Sequence, residues 1–93
     1  MNKVSKSNLK QLAESLENEL IKYGATDEAA MALLDSLSTL IKSAKDGSLI
    51  DNVENVPGRT SFTEKGLSKY RDLEEAYALF KLEVTLGDFS DIN

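Results

Sequence analysis

The feature that most constrains this chain is apolar spacing of three and four residues, carried through three separate stretches, with nothing that reads as a strand. The clearest stretch lies between residues 27 and 45. Ala29, Ala30, Leu33, Leu34, Leu37, Leu40, Ile41 and Ala44 form one broad apolar arc there, and Asp35, Ser38, Thr39 and Lys42 lie opposite. Thr26 is placed to cap the start, with Asp27 and Glu28 at the positive end of the helix dipole. Lys42 and Lys45 sit at the negative end, and Gly47 follows the stop. The pattern predicts a helix over about 27–45.

An earlier helix is predicted over about 7–23. Leu9, Leu12, Ala13, Leu16, Leu20 and Tyr23 share one narrow face, with Ser7 or Ser5 as the cap and Gly24 as a left-handed stop. The link through Gly24, Ala25 and Thr26 is short, so these two helices should pack as an antiparallel hairpin. The first helix carries an oddity: lysines near its start and Glu17 and Glu19 near its end oppose the dipole.

Residues 46–60 change character. Asp46-Gly47-Ser48, Asn52, Asn55 and Pro57-Gly58 are loop signals, while Leu49, Ile50, Val53 and Val56 could pack back onto the bundle through a helical turn at 49–54. Ser61 and Glu64 have capping-box spacing for a short helix near 62–65, which Gly66 would end. The last helix, over about 68–86, is predicted to start between Leu67 and Asp72, and Asp72 and Glu75 form a second capping-box pair that favours a start near Asp72. It is apolar on two sides. Leu73, Ala76, Tyr77, Phe80 and Val84 make one stripe, and Leu79, Leu82 and Leu86 make another, so one side meets a partner or the helix is central. Phe62, Tyr70 and Phe89 fall off both stripes, either as plugs for the bundle ends or as anchors for a partner. The expected fold is all-α: a single domain over 1–93, built as an irregular bundle of three main helices and one short one.

Composition narrows function mainly by exclusion. Without Cys or His, the 93-residue chain lacks thiolate nucleophiles, imidazole bases and the usual zinc ligands, so no metal, cofactor or catalytic residue is assigned. The remaining carboxylates fall on polar helix faces, where nothing would move their pKa values toward neutrality. Pro57-Gly58-Arg59-Thr60 is no phosphate loop, and 46–51 lacks the alternating oxygen ligands of a calcium loop. A net charge of −5 disfavours nucleic acid and anionic membranes and favours basic proteins. The longest apolar run, Ala29 to Leu34, is too short to span a bilayer, and Lys10, Gln11, Glu14 and Glu17 interrupt any export signal. A cytoplasmic binding protein, not an enzyme, is the expectation.

Two runs in the second half carry a resemblance: Phe62-Thr63-Glu64-Lys65-Gly66-Leu67 and Tyr70-Arg71-Asp72-Leu73-Glu74-Glu75-Ala76-Tyr77, with Pro57 upstream and Phe80 downstream. This region, about a third of the chain, resembles small immunity proteins of bacterial toxin systems, of the Maf and contact-dependent growth inhibition type. The resemblance implies a protein that binds and blocks a cognate toxin domain, often a nuclease with a basic cleft. Asp72, Glu74 and Glu75 are then the candidate toxin-binding carboxylates, with Tyr70 as an aromatic anchor. For Asp72 and Glu75 the capping box is the competing explanation. The rival function is a helical adaptor that forms a homodimer through Leu79, Leu82 and Leu86.

Overall fold

The computed structural model describes residues 4–89, and the fold over them is all-α. Helix α1 spans Lys6–Gly24, α2 Glu28–Asp46, α3 Arg59–Thr63 and α4 Arg71–Leu86, with a 3-10 turn at Leu67–Lys69. No strand occurs among the described residues.

Each long helix buries one stripe. Leu9, Ala13, Leu16 and Leu20 turn inward on α1, Ala30, Leu33, Leu37, Ile41 and Ala44 on α2, and Leu73, Tyr77, Phe80 and Val84 on α4. These residues join one core with Val4, Val56, Phe62, Leu67 and Phe89. Burying each large side chain stabilises the fold by roughly 1.5–3 kcal/mol before entropy is counted. As the short link requires, α1 and α2 are antiparallel: Lys6 lies beside Gly47, and Gly24 beside Met31. α4 also runs antiparallel to α1. Asn8 donates to Glu83 (3.1 Å) near one end, and the Tyr23 and Tyr70 rings stack near the other.

Helix boundaries depart from the periodic expectation where side chains have other work. Ser5, not Ser7, caps α1, its hydroxyl accepting from the Asn8 amide at 3.1 Å. Gly24 is not left-handed and remains in α1, with the chain leaving through right-handed Ala25. What Gly24 supplies is closeness, because a methyl there would meet Met31 Cε at 3.3 Å. The cap of α2 is Asp27 rather than Thr26, its Oδ1 accepting from the Ala29 amide at 2.9 Å. Gly47 does take the left-handed stop (φ 83).

The short helix begins earlier than its Ser61–Glu64 spacing suggests. It starts at Arg59, so Ser61 lies inside α3, Glu64 follows its end, and no capping box forms. Gly66, at φ 81, opens the 3-10 turn. Tyr70 then occupies an extended position that separates this turn from α4, so the last helix starts at Arg71, near the Asp72 end of the expected range. The Asp72–Glu75 box is also not formed. Tyr70 holds the capping position without a side-chain cap, and Asp72 falls in the first turn. The dipole still favours Asp72 and Glu74 there.

Residues 49–54 form no helical turn. That strand of loop is tied to the end of α4 instead, with the Val53 amide donating to the Val84 carbonyl (2.8 Å) and Asn52 Nδ2 to that of Gly87 (2.9 Å). Val56 is buried, Leu49 and Val53 are half-buried, and Ile50 is exposed. Phe62 and Phe89 close the core as plugs. The misplaced acids of α1 also find partners: Glu17 accepts from Lys45 of α2 at 2.6 Å, and Glu19 pairs with Lys22 at 3.7 Å.

Gly58 precedes α3 at φ 128, and a Cβ on it would sit 2.8 Å from both Leu33 Cδ1 and Tyr77 Cε1. Gly58→Ala should therefore cost roughly 2 kcal/mol or more, through backbone strain and overpacking together. Gly66→Ala, at a similar hand of backbone but with open space around it, should cost only about 1 kcal/mol. Urea denaturation of both variants, at unchanged m-value, measures the difference.

Candidate functional site

Helix α4 is buried on one side only. Its inward stripe fixes it against α1, and the outward stripe is left in solvent, with Leu79, Leu82 and Leu86 exposed by 47%, 55% and 71%. Three leucines at helical spacing on one exposed face exceed what scattered surface apolar residues explain. Leu79 also lines a groove of ≈ 390 Å³ between α1 and α4, together with Leu12, Ser15, Asn18, Glu19, Asp72, Glu75 and Ala76. The leucine stripe therefore runs into a groove carrying three carboxylates.

Glu19 is the most constrained of the three. Its Oε1 is buried without a hydrogen-bond partner, and its nearest cation is Lys22. The Glu19 carboxylate raises the Lys22 pKa, followed by smaller contributions that include Asp72. One lysine beside Glu19 thus stands against three carboxylates on the groove. Such a groove suits a basic side chain brought in by another molecule.

The residues singled out in the sequence do not form one cluster. Asp72 lies in the α1–α4 groove. Glu74 faces a second groove of ≈ 600 Å³ between α3 and α4, and Glu75 borders both. Tyr70 turns a third way, toward α2. Its ring stacks on Tyr23 at 4.1 Å, its hydroxyl donates to Asp27 Oδ2 at 2.8 Å, and Lys69 Nζ lies 5.2 Å over the ring. It is half-buried and committed to contacts within the chain. Leu12, Glu19 and Arg59 belong to these grooves but were not singled out as binding residues. Leu12 and Glu19 acquire their setting only when α1 meets α4, and no spacing within either helix announces that pairing.

Among the described residues no group of His, Cys, Asp or Glu could hold a metal ion, and no helix is long and apolar enough to cross a membrane. The arrangement has the chemistry of contact: an apolar strip for burial and fixed carboxylates for orientation. No protein-family model, curated protein or solved structure matches the chain.

Asp27 serves two ends at once, capping α2 through Oδ1 and accepting from Tyr70 through Oδ2. The Tyr70 hydrogen bond, then the Ala29 amide, lower its pKa. The same bond to Asp27 raises that of Tyr70. A lowered carboxylate pKa contributes stability that is complete above the unfolded value and is lost as pH falls through the folded one. A raised phenol pKa contributes stability that is lost only as pH climbs above its ordinary alkaline value. Tyr70→Phe should therefore lower Tm throughout the neutral range. The gap from the native chain should narrow as pH falls below the ordinary carboxylate range and Asp27, its pKa lowered, takes up its proton. Thermal melts across that acid range check the convergence.

Proposed function

We propose that this chain is an immunity-type protein: a cytoplasmic, stoichiometric inhibitor that binds a basic toxin domain, a nuclease being the best-suited class, and works by contact rather than catalysis. The observation that carries the reading is the outer face of α4, where exposed Leu79, Leu82 and Leu86 continue into the groove holding Glu19, Asp72 and Glu75. The resemblance read in residues 57–80 points the same way, through the same region that supplies Asp72, Glu75 and Leu79.

Physically, the leucines provide area to bury and the carboxylates choose the partner. A toxin that cleaves nucleic acid needs a cationic cleft, and a protein of net charge −5 is drawn toward it at long range. Once seated, carboxylates can occupy the positions that phosphates would take. The leucine stripe is also the surface on which a homodimer would form. A second copy, however, carries the same net charge of −5, so its approach is opposed at long range. A basic partner gains where a second copy loses.

The test uses tagged protein as bait in lysate of its own organism, at low and at moderate salt. The captured domain is then reconstituted with the pure chain. The expected result is a 1:1 complex with a basic toxin domain whose activity is lost on binding. Leu82→Asp should weaken the complex at least about tenfold by placing a charge in the apolar centre. Glu75→Lys should slow association and flatten its salt dependence. Self-association that covers α4, with toxin activity untouched by the chain, would overturn the reading in favour of the homodimeric adaptor.

A further inference from the structure

The chain contains only two arginines, Arg59 and Arg71, and both line the groove between α3 and α4. Lys81 is a third cation on the same rim, and Phe62, Tyr77 and Ala78 supply the apolar floor. Glu74 and Glu75 also border the groove, three and four residues after Arg71. That order is the weaker one for a helical acid–base pair. The ion pairs among the described residues are Lys22–Glu19 and Lys45–Glu17, so neither guanidinium is neutralised within the fold. A surface that is acidic elsewhere thus carries a locally cationic trough with both planar, five-donor side chains of the chain on its edge.

The floor is rigid. Phe62 and Tyr77 pack with ring centroids 4.6 Å apart, and the Tyr77 hydroxyl donates to the carbonyls of Val56 (3.2 Å) and Pro57 (3.0 Å). Lys81 Nζ lies 5.9 Å over the Tyr77 ring. Both rings are largely covered, so a ligand meets their edges, the Ala78 methyl and the aliphatic stems of the arginines.

We propose that this groove binds an acidic, apolar peptide segment of a partner protein, with carboxylates on Arg59 and Arg71 and an apolar side chain against Phe62, Tyr77 and Ala78. Guanidinium groups match carboxylates in paired hydrogen bonds, which gives the trough its preference for that group. Its shape favours a segment laid across the surface over a small enclosed ligand, because the rim residues Arg59 and Arg71 and Ala78 on the floor are all exposed. Nucleic acid is the poorer fit, since a chain of net charge −5 repels a long polyanion whereas a short segment meets only the cationic rim. The site lies on the α3 side of α4 and does not rest on the toxin reading.

A pool of fluorescein-labelled peptides, alternating Asp or Glu with Leu, Ile, Phe or Trp, would be titrated with the full chain and followed by anisotropy. Binding should be saturable and should weaken about tenfold for each of Arg59→Gln and Arg71→Gln, the scale of one lost charge-assisted contact. Amide shifts in the unmodified chain should centre on Arg59, Ala78 and Lys81, a readout that needs no variant to fold. The proposal is overturned if no member of the pool saturates or if Asn and Gln versions bind as tightly. It is equally overturned if both arginine variants bind unchanged, if the shifts centre on Leu12 and Leu79, or if inorganic phosphate displaces the peptide at equal concentration.

Discussion

The hydroxyl of Tyr77 reaches the carbonyls of Val56 and Pro57, and that contact decides where the long connection between α2 and α3 can run. A single O–H is shared between two acceptors in a partly buried place, and burial holds the phenol protonated by raising its pKa. The chain must then pass Tyr77 so closely that only a glycine fits at 58, wedged against Leu33 of α2 as well. Phe62 drops onto the other edge of the same ring. One tyrosine on α4 therefore organises the loop, the start of α3 and the floor of the neighbouring groove.

A second tyrosine secures the other end of α4 by different means. Tyr70 stands between the 3-10 turn and the helix, stacked on Tyr23 and bonded to the residue that caps α2. The start of α4 is thus registered against the turn joining α1 and α2, and Lys22 and Lys69 lie over the two stacked rings. With both ends held from inside, α4 presents its outer face in a fixed orientation. Fixed presentation matters for a binding surface, because the entropy of ordering is spent on folding rather than on association.

The three long helices were legible because each carries a run of apolar residues at three- and four-residue spacing, and the buried stripes coincide with those runs. Left-handed Gly47 was legible too, since a stop after Lys45 needs a residue without a Cβ. What sequence spacing could not rank was competition between residues able to do the same job. Ser5 and Ser7, Thr26 and Asp27, and Tyr70 and Asp72 are each adjacent or nearly adjacent choices for a helix start. Asp27 prevailed where its second oxygen also satisfies Tyr70, a contact across 43 residues that no local pattern contains. The same holds for the site. Asp72, Glu74 and Glu75 were readable as exposed acids, but the partners Leu12, Glu19 and Arg59 come from α1 and α3. They appear only when the helices are brought together.

Helical geometry explains why one short run of acids ends up serving two surfaces. Successive residues turn by roughly 100°, so Asp72 and Glu74 diverge by about 200° and Glu75 falls between one side and the other. On the α1 side Asp72 meets Glu19 and the leucine stripe, which makes an acidic, apolar strip. On the α3 side Glu74 borders the same groove as Arg59, Arg71 and Lys81, whose three charges make it a cationic trough. Two surfaces of opposite chemistry thus share one helix, and they share it rigidly, because Tyr70 and Tyr77 fix its position along the bundle. Glu75 borders both surfaces, so one carboxylate belongs to the acidic strip and to the rim of the cationic trough alike.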